Sequence, residues 1–261
     1  VVPDLGLGGT LDGTVKVGGS RSAPDINFDV RGQGLTAAQL QQAGLSSIDI
    51  IANGSTQNQL LTLDANITSP EGVDARGQGT VPLGEGQLAL DVSLRALPLS
   101  IANAIVPEQN LGGTVTGTAR VTGELRNPAA SFNLEGSGIT AAPLAQAGAA
   151  PLSVQADGAF GDNALTLNSL QVNGAQGLSV SGSGRVPLSG DGLSVDVNAQ
   201  VPLALGNAFV PDQNLGGTVT GTARVTGALR NPAASFNLQG SGITAAPLAQ
   251  AGVAPLSVQA E

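Results

Sequence analysis

The sequence predicts an all-β protein: an elongated, repetitive sheet with one apolar face and only short helical turns. Three observations carry this prediction. Apolar and polar side chains alternate with period two along most segments, a block of 104 residues is repeated, and 38 glycines and 15 prolines mark frequent turns. Such alternation is typical of strands whose two faces meet different surroundings.

The repeat sets the organisation of the chain. Residues 106–157 recur as residues 210–261 with five differences in 52 positions, and a more diverged copy opens the chain. We therefore divide the chain into a first copy at 1–105, a second at 106–209 and a truncated third at 210–261, all in one continuous β-array. The last copy stops inside a strand-like stretch, so we expect this to be a segment of a longer chain.

Details of the second copy predict individual elements. In residues 165–172 the alternation slips after Leu167, which predicts a β-bulge or a tight corner. Gly161-Asp162-Asn163 and Asn127-Pro128 have the chemistry of tight turns. Residues 140–148 and 203–210 are predicted to form one or two helical turns each.

Alternation also assigns the side chains that line the apolar face. Phe28, Phe132 and Phe236 occupy equivalent positions in the three copies, and we interpret them as packing residues. Arg120 and Arg224 fall on the hydroxyl-rich face, where a carboxylate such as Glu135 is a possible partner. We expect the lining to include Val115, Ala119, Val121, Phe132, Leu134, Leu152, Val154, Leu165, Leu167, Val180, Val186, Leu193, Val195, Val197, Val201, Val219, Val225, Phe236, Leu238, Leu256 and Val258.

Composition bears on function by exclusion. The chain has no His, Cys, Met, Trp or Tyr, so imidazole-based catalysis and soft-metal sites have no ligands. We therefore expect no enzyme, no catalytic residue, no metal and no cofactor. A net charge of −9 disfavours nucleic acid as a partner. No apolar run reaches the roughly 18 residues of a membrane span, so any anchor is expected outside this segment.

Two arrangements would satisfy a one-faced sheet. Burying a Val or Leu side chain contributes about 1.5–3 kcal/mol, so the pattern alone favours two walls packed into a filled core. The lining, however, is rich in glycine and small branched residues and poor in large aromatics. That composition favours an open trough that contacts a flexible apolar ligand.

The repeated segment at 106–139 resembles the TamB family, which is related to the AsmA-like proteins. The resemblance lies in the order of three segments: Val-Pro-Glu-Gln-Asn-Leu-Gly-Gly, then a strand with regularly spaced glycines, then Leu-Arg-Asn-Pro. The last motif occurs at 125–128 and again at 229–232. The first copy departs from it, with Ser22-Ala23-Pro24 before its second strand.

This resemblance implies a fold and a function. The fold would be a curled β-taco, or open β-groove, with an apolar interior. The function would be a periplasmic conduit in a Gram-negative bacterium, anchored at the inner membrane, which carries phospholipid acyl chains to the outer membrane. It would also, or instead, support outer-membrane protein assembly with a TamA-type barrel partner. The alternative is a structural β-solenoid spacer or adhesin-like repeat with a filled core.

Overall fold

The computed structural model describes residues 6–20 and 23–260, and within them the protein is all-β. Fifteen strands form one antiparallel sheet in chain order, and the described strands do not close it into a barrel. The strands are β1 (Gly8–Ser20), β2 (Ala23–Thr36), β3 (Ile48–Gln57), β4 (Leu60–Thr68), β5 (Asp74–Pro82), β6 (Gln87–Pro98), β7 (Gly112–Glu124), β8 (Asn127–Thr140), β9 (Leu152–Gly161), β10 (Ala164–Asn173), β11 (Ser179–Pro187), β12 (Asp191–Pro202), β13 (Gly216–Ala228), β14 (Asn231–Thr244) and β15 (Leu256–Ala260).

Helices are short and confined to connections. Three are α-helical, α1 (Ala38–Gln42), α2 (Ala142–Gln146) and α3 (Ala246–Gln250), and five are 3₁₀ turns, η1 (Leu99–Ala104), η2 (Pro107–Gln109), η3 (Ala175–Gly177), η4 (Leu203–Ala208) and η5 (Pro211–Gln213). The two helical segments predicted at 140–148 and 203–210 are confirmed as α2 and η4. Among the described residues, none of these helices has the length and hydropathy needed to cross a bilayer.

The repeat in the sequence reappears as a repeat of six strands. β1, β7 and β13 begin at Gly8, Gly112 and Gly216, which are 104 residues apart. The chain divides into two compact units between Asn133 and Leu134.

Within each unit the two ends of the strands differ. Odd-numbered strands mostly lead into tight turns, such as Asp162-Asn163, whose φ values of 49° and 55° suit the turn of a twisted hairpin. We call this end the turn border. Even-numbered strands lead into the helical and longer connections, and we call that end the helical border.

The predicted turn at Asn127-Pro128 is wrong: Leu125 and Arg126 make the turn, and Asn127 and Pro128 open β8. Pro128 is the second residue of β8, so its missing N–H lies at the end of the ladder beside the turn and not in its middle.

Hydrogen bonds fix the helical border. In the first unit Leu111 N–H donates to Asn103 Oδ1 at 2.7 Å, and Asn103 Nδ2 donates to the Leu111 carbonyl at 2.8 Å. In the second unit Asn207 and Leu215 make the same two bonds at 2.6 and 2.9 Å. The asparagine thereby satisfies backbone groups that the end of a strand would otherwise leave unpaired.

The irregularity predicted in β10 is a β-bulge, the first of the two predicted alternatives. Leu167 pairs with Gly158 of β9 but Ser169 pairs with Asp157, so Asn168 is the extra residue. The Asn168 amide donates to Asp157 Oδ1 at 2.8 Å. The bulge returns Leu170 and Val172 to the face occupied by Leu165 and Leu167, because an extra residue in a period-two pattern restores the phase.

Candidate functional site

The strand register places apolar residues opposite apolar residues in rows that run across the strands. Residues paired across an antiparallel ladder point to the same face of the sheet. In the second unit one such row consists of Gly158, Leu167, Gly184, Val195, Val225 and Ala234. The next row on that face consists of Ala156, Leu170, Gly182, Val197, Ala223 and Phe236.

The first unit has the same arrangement. One row consists of Val15, Phe28, Gly54, Leu63, Gly79, Leu90 and Val121. Its neighbour on that face consists of Gly13, Val30, Ala52, Ala65, Gly77, Val92 and Ala119. We call the face formed by such rows the apolar face of each unit, and the opposite one the polar face. The apolar rows contain no charged side chain.

Charged residues lie outside these rows, and five arginines pair with Asp carboxylates. Arg76 Nη2 lies 2.5 Å from Asp64 Oδ2, and this hydrogen bond lowers the pKa of Asp64 and raises that of Arg76. Arg95 Nη2 lies 2.6 Å from Asp74 Oδ1 and also bonds Asn66. The prediction that Arg120 and Arg224 pair with neighbouring carboxylates is confirmed: Arg120 lies 3.6 Å from Asp91 and Arg224 lies 3.5 Å from Asp196. The directly opposed carboxylate is on the preceding strand, which sequence spacing did not reveal.

All predicted lining residues lie in strands, and those with register partners fall in apolar rows. The first unit holds Val115, Ala119 and Val121 on β7 and Phe132 on β8. The second unit holds Leu134 on β8, Leu152 and Val154 on β9, Leu165 and Leu167 on β10, Val180 and Val186 on β11, Leu193, Val195, Val197 and Val201 on β12, Val219 and Val225 on β13, Phe236 and Leu238 on β14, and Leu256 and Val258 on β15.

Most of these side chains are half-buried. Leu152 alone among them is buried, whereas Val201, Phe236, Leu238, Leu256 and Val258 are exposed, Phe236 by 55%. The last four lie on β14 and β15, where β15 has β14 as its one described neighbour. Among the described residues, no large side chain is fully buried.

The deepest burial is at the borders of the sheet rather than at its centre. Ala149 follows α2, Leu205 lies in η4, and Leu152 and Ala164 open β9 and β10. In the first unit Leu88 lies near the start of β6. A core between two packed walls would bury the middle of the strands most, so this distribution differs from the filled core that patterning alone favours.

Glycines on the apolar face accommodate neighbouring groups. A Cβ on Gly54 would lie 2.7 Å from Cζ of Phe28, so the ring occupies the space above this glycine. A Cβ on Gly79 would lie 2.9 Å from Cα of Leu90, whereas a Cβ on Gly77 would meet nothing within 4 Å. Gly79 therefore allows close approach of β6, while Gly77 leaves space on the face itself.

Sequence reasoning missed one joint at the helical border of the first unit. Glu71 Oε1 accepts the Ser46 backbone N–H at 2.8 Å, which ties the β4–β5 connection to the β2–β3 connection. Hydrogen bonds from the Ser46 hydroxyl and N–H, then from its own backbone and Ser69, lower the pKa of Glu71 to about 2. In the second unit the Ala175 N–H donates to the Ala149 carbonyl at 3.1 Å in the corresponding place. No sequence motif marks this joint. A side-chain carboxylate takes part in it in the first unit, whereas backbone groups alone form it in the second.

In the described part of the chain, no group of three or more Asp or Glu side chains is placed to hold a metal ion. No protein-family model, curated protein or solved structure matches this chain.

Proposed function

We propose that this chain is a non-enzymatic conduit segment whose apolar face binds the acyl chains of phospholipids. The observation that carries the proposal is a face without charged residues that continues from strand to strand in each unit and stays half-exposed at its centre. A ligand that covers it would remove apolar surface from water, which stabilises the complex by about 25 cal/mol per Å².

Physical chemistry favours an acyl chain as that ligand. Transfer of each CH₂ group from water to an apolar surface contributes about 0.8 kcal/mol, whereas transfer from a bilayer interior contributes little. A chain could therefore enter such a face from one membrane and leave it at another. Small lining residues such as Gly182 and Ala223 suit a flexible hydrocarbon better than a rigid ligand.

The resemblance of residues 106–139 to the TamB family extends the proposal. In this reading each unit is part of an elongated, curled β-taco with an apolar groove, in the periplasm of a Gram-negative bacterium. The chain would be held at the inner membrane through parts outside this segment. It would carry phospholipid between the inner and outer membranes, or support outer-membrane protein assembly with a TamA-type barrel. No nucleic acid and no cofactor belong to this proposal.

A charge on the apolar face tests the binding role. Val195→Asp in the purified chain should leave the protein folded, because a half-exposed carboxylate keeps part of its hydration, but should reduce binding of a pyrene-labelled phospholipid at least tenfold. Asp196→Asn, the adjacent residue on the polar face, is the matched control and should bind as wild type does. If Val195→Asp instead unfolds the protein by several kcal/mol, the face is a filled core and the chain is a structural spacer.

A further inference from the structure

A hollow at the turn border of the first unit combines charges of both signs. It has a volume of about 660 Å³ and is lined by Gly84, Glu85, Gly86, Glu124, Leu125 and Arg126. It lies between the β5–β6 turn and the β7–β8 turn, which are neighbours because Gln87 of β6 pairs with Glu124 of β7. Small residues in the first turn leave the hollow open.

Arg126 differs from most arginines of the polar face, although Arg185 shares its lack of a described ion pair. Arg76 and Arg95, for example, each lie within 4.0 Å of an Asp carboxylate, whereas Arg126 pairs with no carboxylate of the described residues. Glu85 and Glu124 likewise form no ion pair there. One guanidinium and two carboxylates thus line the same hollow without neutralising one another.

The hollow lies at the turn end of the strands that carry the apolar face, and its Glu124, which pairs with Gln87, lies on the polar face. Val121, in an apolar row of β7, is three residues from Glu124, or about 10 Å along an extended strand. Leu125 is exposed by 51% and continues the apolar surface to the turn. A ligand with hydrocarbon on Val121 reaches Arg126 by passing over the exposed Leu125 at the turn, around the end of the sheet.

We propose that this hollow binds the headgroup of a phospholipid that carries both a phosphate and an ammonium group. This inference rests on the proposed function, since the acyl chains of that lipid lie on the apolar face. The Arg126 guanidinium can donate two parallel hydrogen bonds to phosphate oxygens. Glu85 and Glu124 supply the carboxylates that pair with the ammonium group, and the charges of site and headgroup are thus complementary.

The second unit provides an internal comparison. Arg230 occupies the repeat position of Arg126, but Ala228 stands in place of Glu124. Asp191 lies opposite Ala228 in the register, so a carboxylate is present on the neighbouring strand instead. The first unit therefore offers the more complete match to an amine-bearing headgroup.

Binding of three pyrene-labelled lipids to the purified chain tests the inference: phosphatidylethanolamine, phosphatidylglycerol and diacylglycerol with identical acyl chains. Arg126→Gln should lower the affinity for both phospholipids about five- to tenfold, because it removes charge-assisted hydrogen bonds to phosphate. The affinity for diacylglycerol should not change. The double variant Glu85→Gln with Glu124→Gln should lower the affinity for phosphatidylethanolamine and raise the affinity for phosphatidylglycerol. Arg185→Gln is the matched control, an exposed arginine on β11 without a described ion-pair partner, and should change none of the three.

The outcomes separate the two proposals. If diacylglycerol binds but Arg126→Gln leaves the ratio of phosphatidylethanolamine to diacylglycerol affinity within twofold, the headgroup site is overturned and the apolar face stands. If neither diacylglycerol nor a phospholipid binds to wild type, the proposed function fails and this inference with it.

Discussion

Asp196 and Arg224 lie directly opposite each other on β12 and β13, with 3.5 Å between Asp196 Oδ1 and Arg224 Nε. The adjacent pair in the ladder, Val195 and Val225, points to the other face. This one-residue offset between an ion pair and an apolar pair recurs in the first unit, where Asp91 faces Arg120 beside Leu90 and Val121. Adjacent residues of these strands thus place the ion pairs on the polar face and the apolar pairs on the apolar face.

The ion pair is expected to contribute little to stability. Its side chains are 51% and 61% exposed, and exposed pairs contribute about 0–1 kcal/mol because water screens both charges. Asp196→Asn should therefore lower the free energy of unfolding in urea by less than about 1 kcal/mol. Asp91→Asn is the corresponding control in the first unit. A loss above about 2 kcal/mol for either variant would indicate that the polar face is not simply solvated.

Two glycines on β5 should respond differently to the same change. Gly79 has a φ of 147°, and a Cβ there would lie 2.9 Å from Cα of Leu90, so Gly79→Ala should cost about 1–3 kcal/mol. Gly77→Ala adds a methyl group where nothing lies within 4 Å and should change stability by less than about 1 kcal/mol. Urea unfolding of both variants measures the contrast. Equal costs would mean that close approach of β6 does not require glycine at position 79.

Glu71 should make the stability of the first unit fall at low pH. Its pKa in the folded chain is lowered to about 2 from an ordinary value of 4.5, so its stabilisation is complete above about pH 4.5 and is lost as the pH falls toward 2. Glu71→Gln should be less stable than wild type at pH 7, and the difference should shrink between pH 4.5 and 2. Thermal unfolding of both proteins across this range tests it. A difference that does not change with pH would exclude a role for the carboxylate charge.

The sequence was sufficient for the strands and their faces, because alternation over 193–201 has no competing helical period. It also located the irregularity at Asn168, since a slip of phase after Leu167 predicts a bulge or a tight corner. Those features are local, and the repeat reinforced them.

What sequence could not supply depends on contacts between distant residues. The sequence predicted a neighbouring carboxylate for Arg224 but could not single out Asp196, because the register between β12 and β13 is a tertiary property. The joint at Glu71 was missed because a backbone N–H replaces the carboxylate in the second unit. The alternation also could not predict how deeply each residue is buried. It assigns Val195 and Leu152 to the same face, yet Leu152 is buried at the helical border while Val195 is half-buried.

Photo-crosslinking of phospholipid to single positions tests the central claim most directly. A photoreactive amino acid at Val195 or Val225 lies on the half-exposed apolar face, whereas one at Asp196 or Ser153 lies on the other face. We predict that irradiation with phospholipid vesicles captures lipid at Val195 and Val225 and leaves Asp196 and Ser153 unmodified. Absence of lipid at both apolar positions, or equal capture on the two faces, would contradict the account.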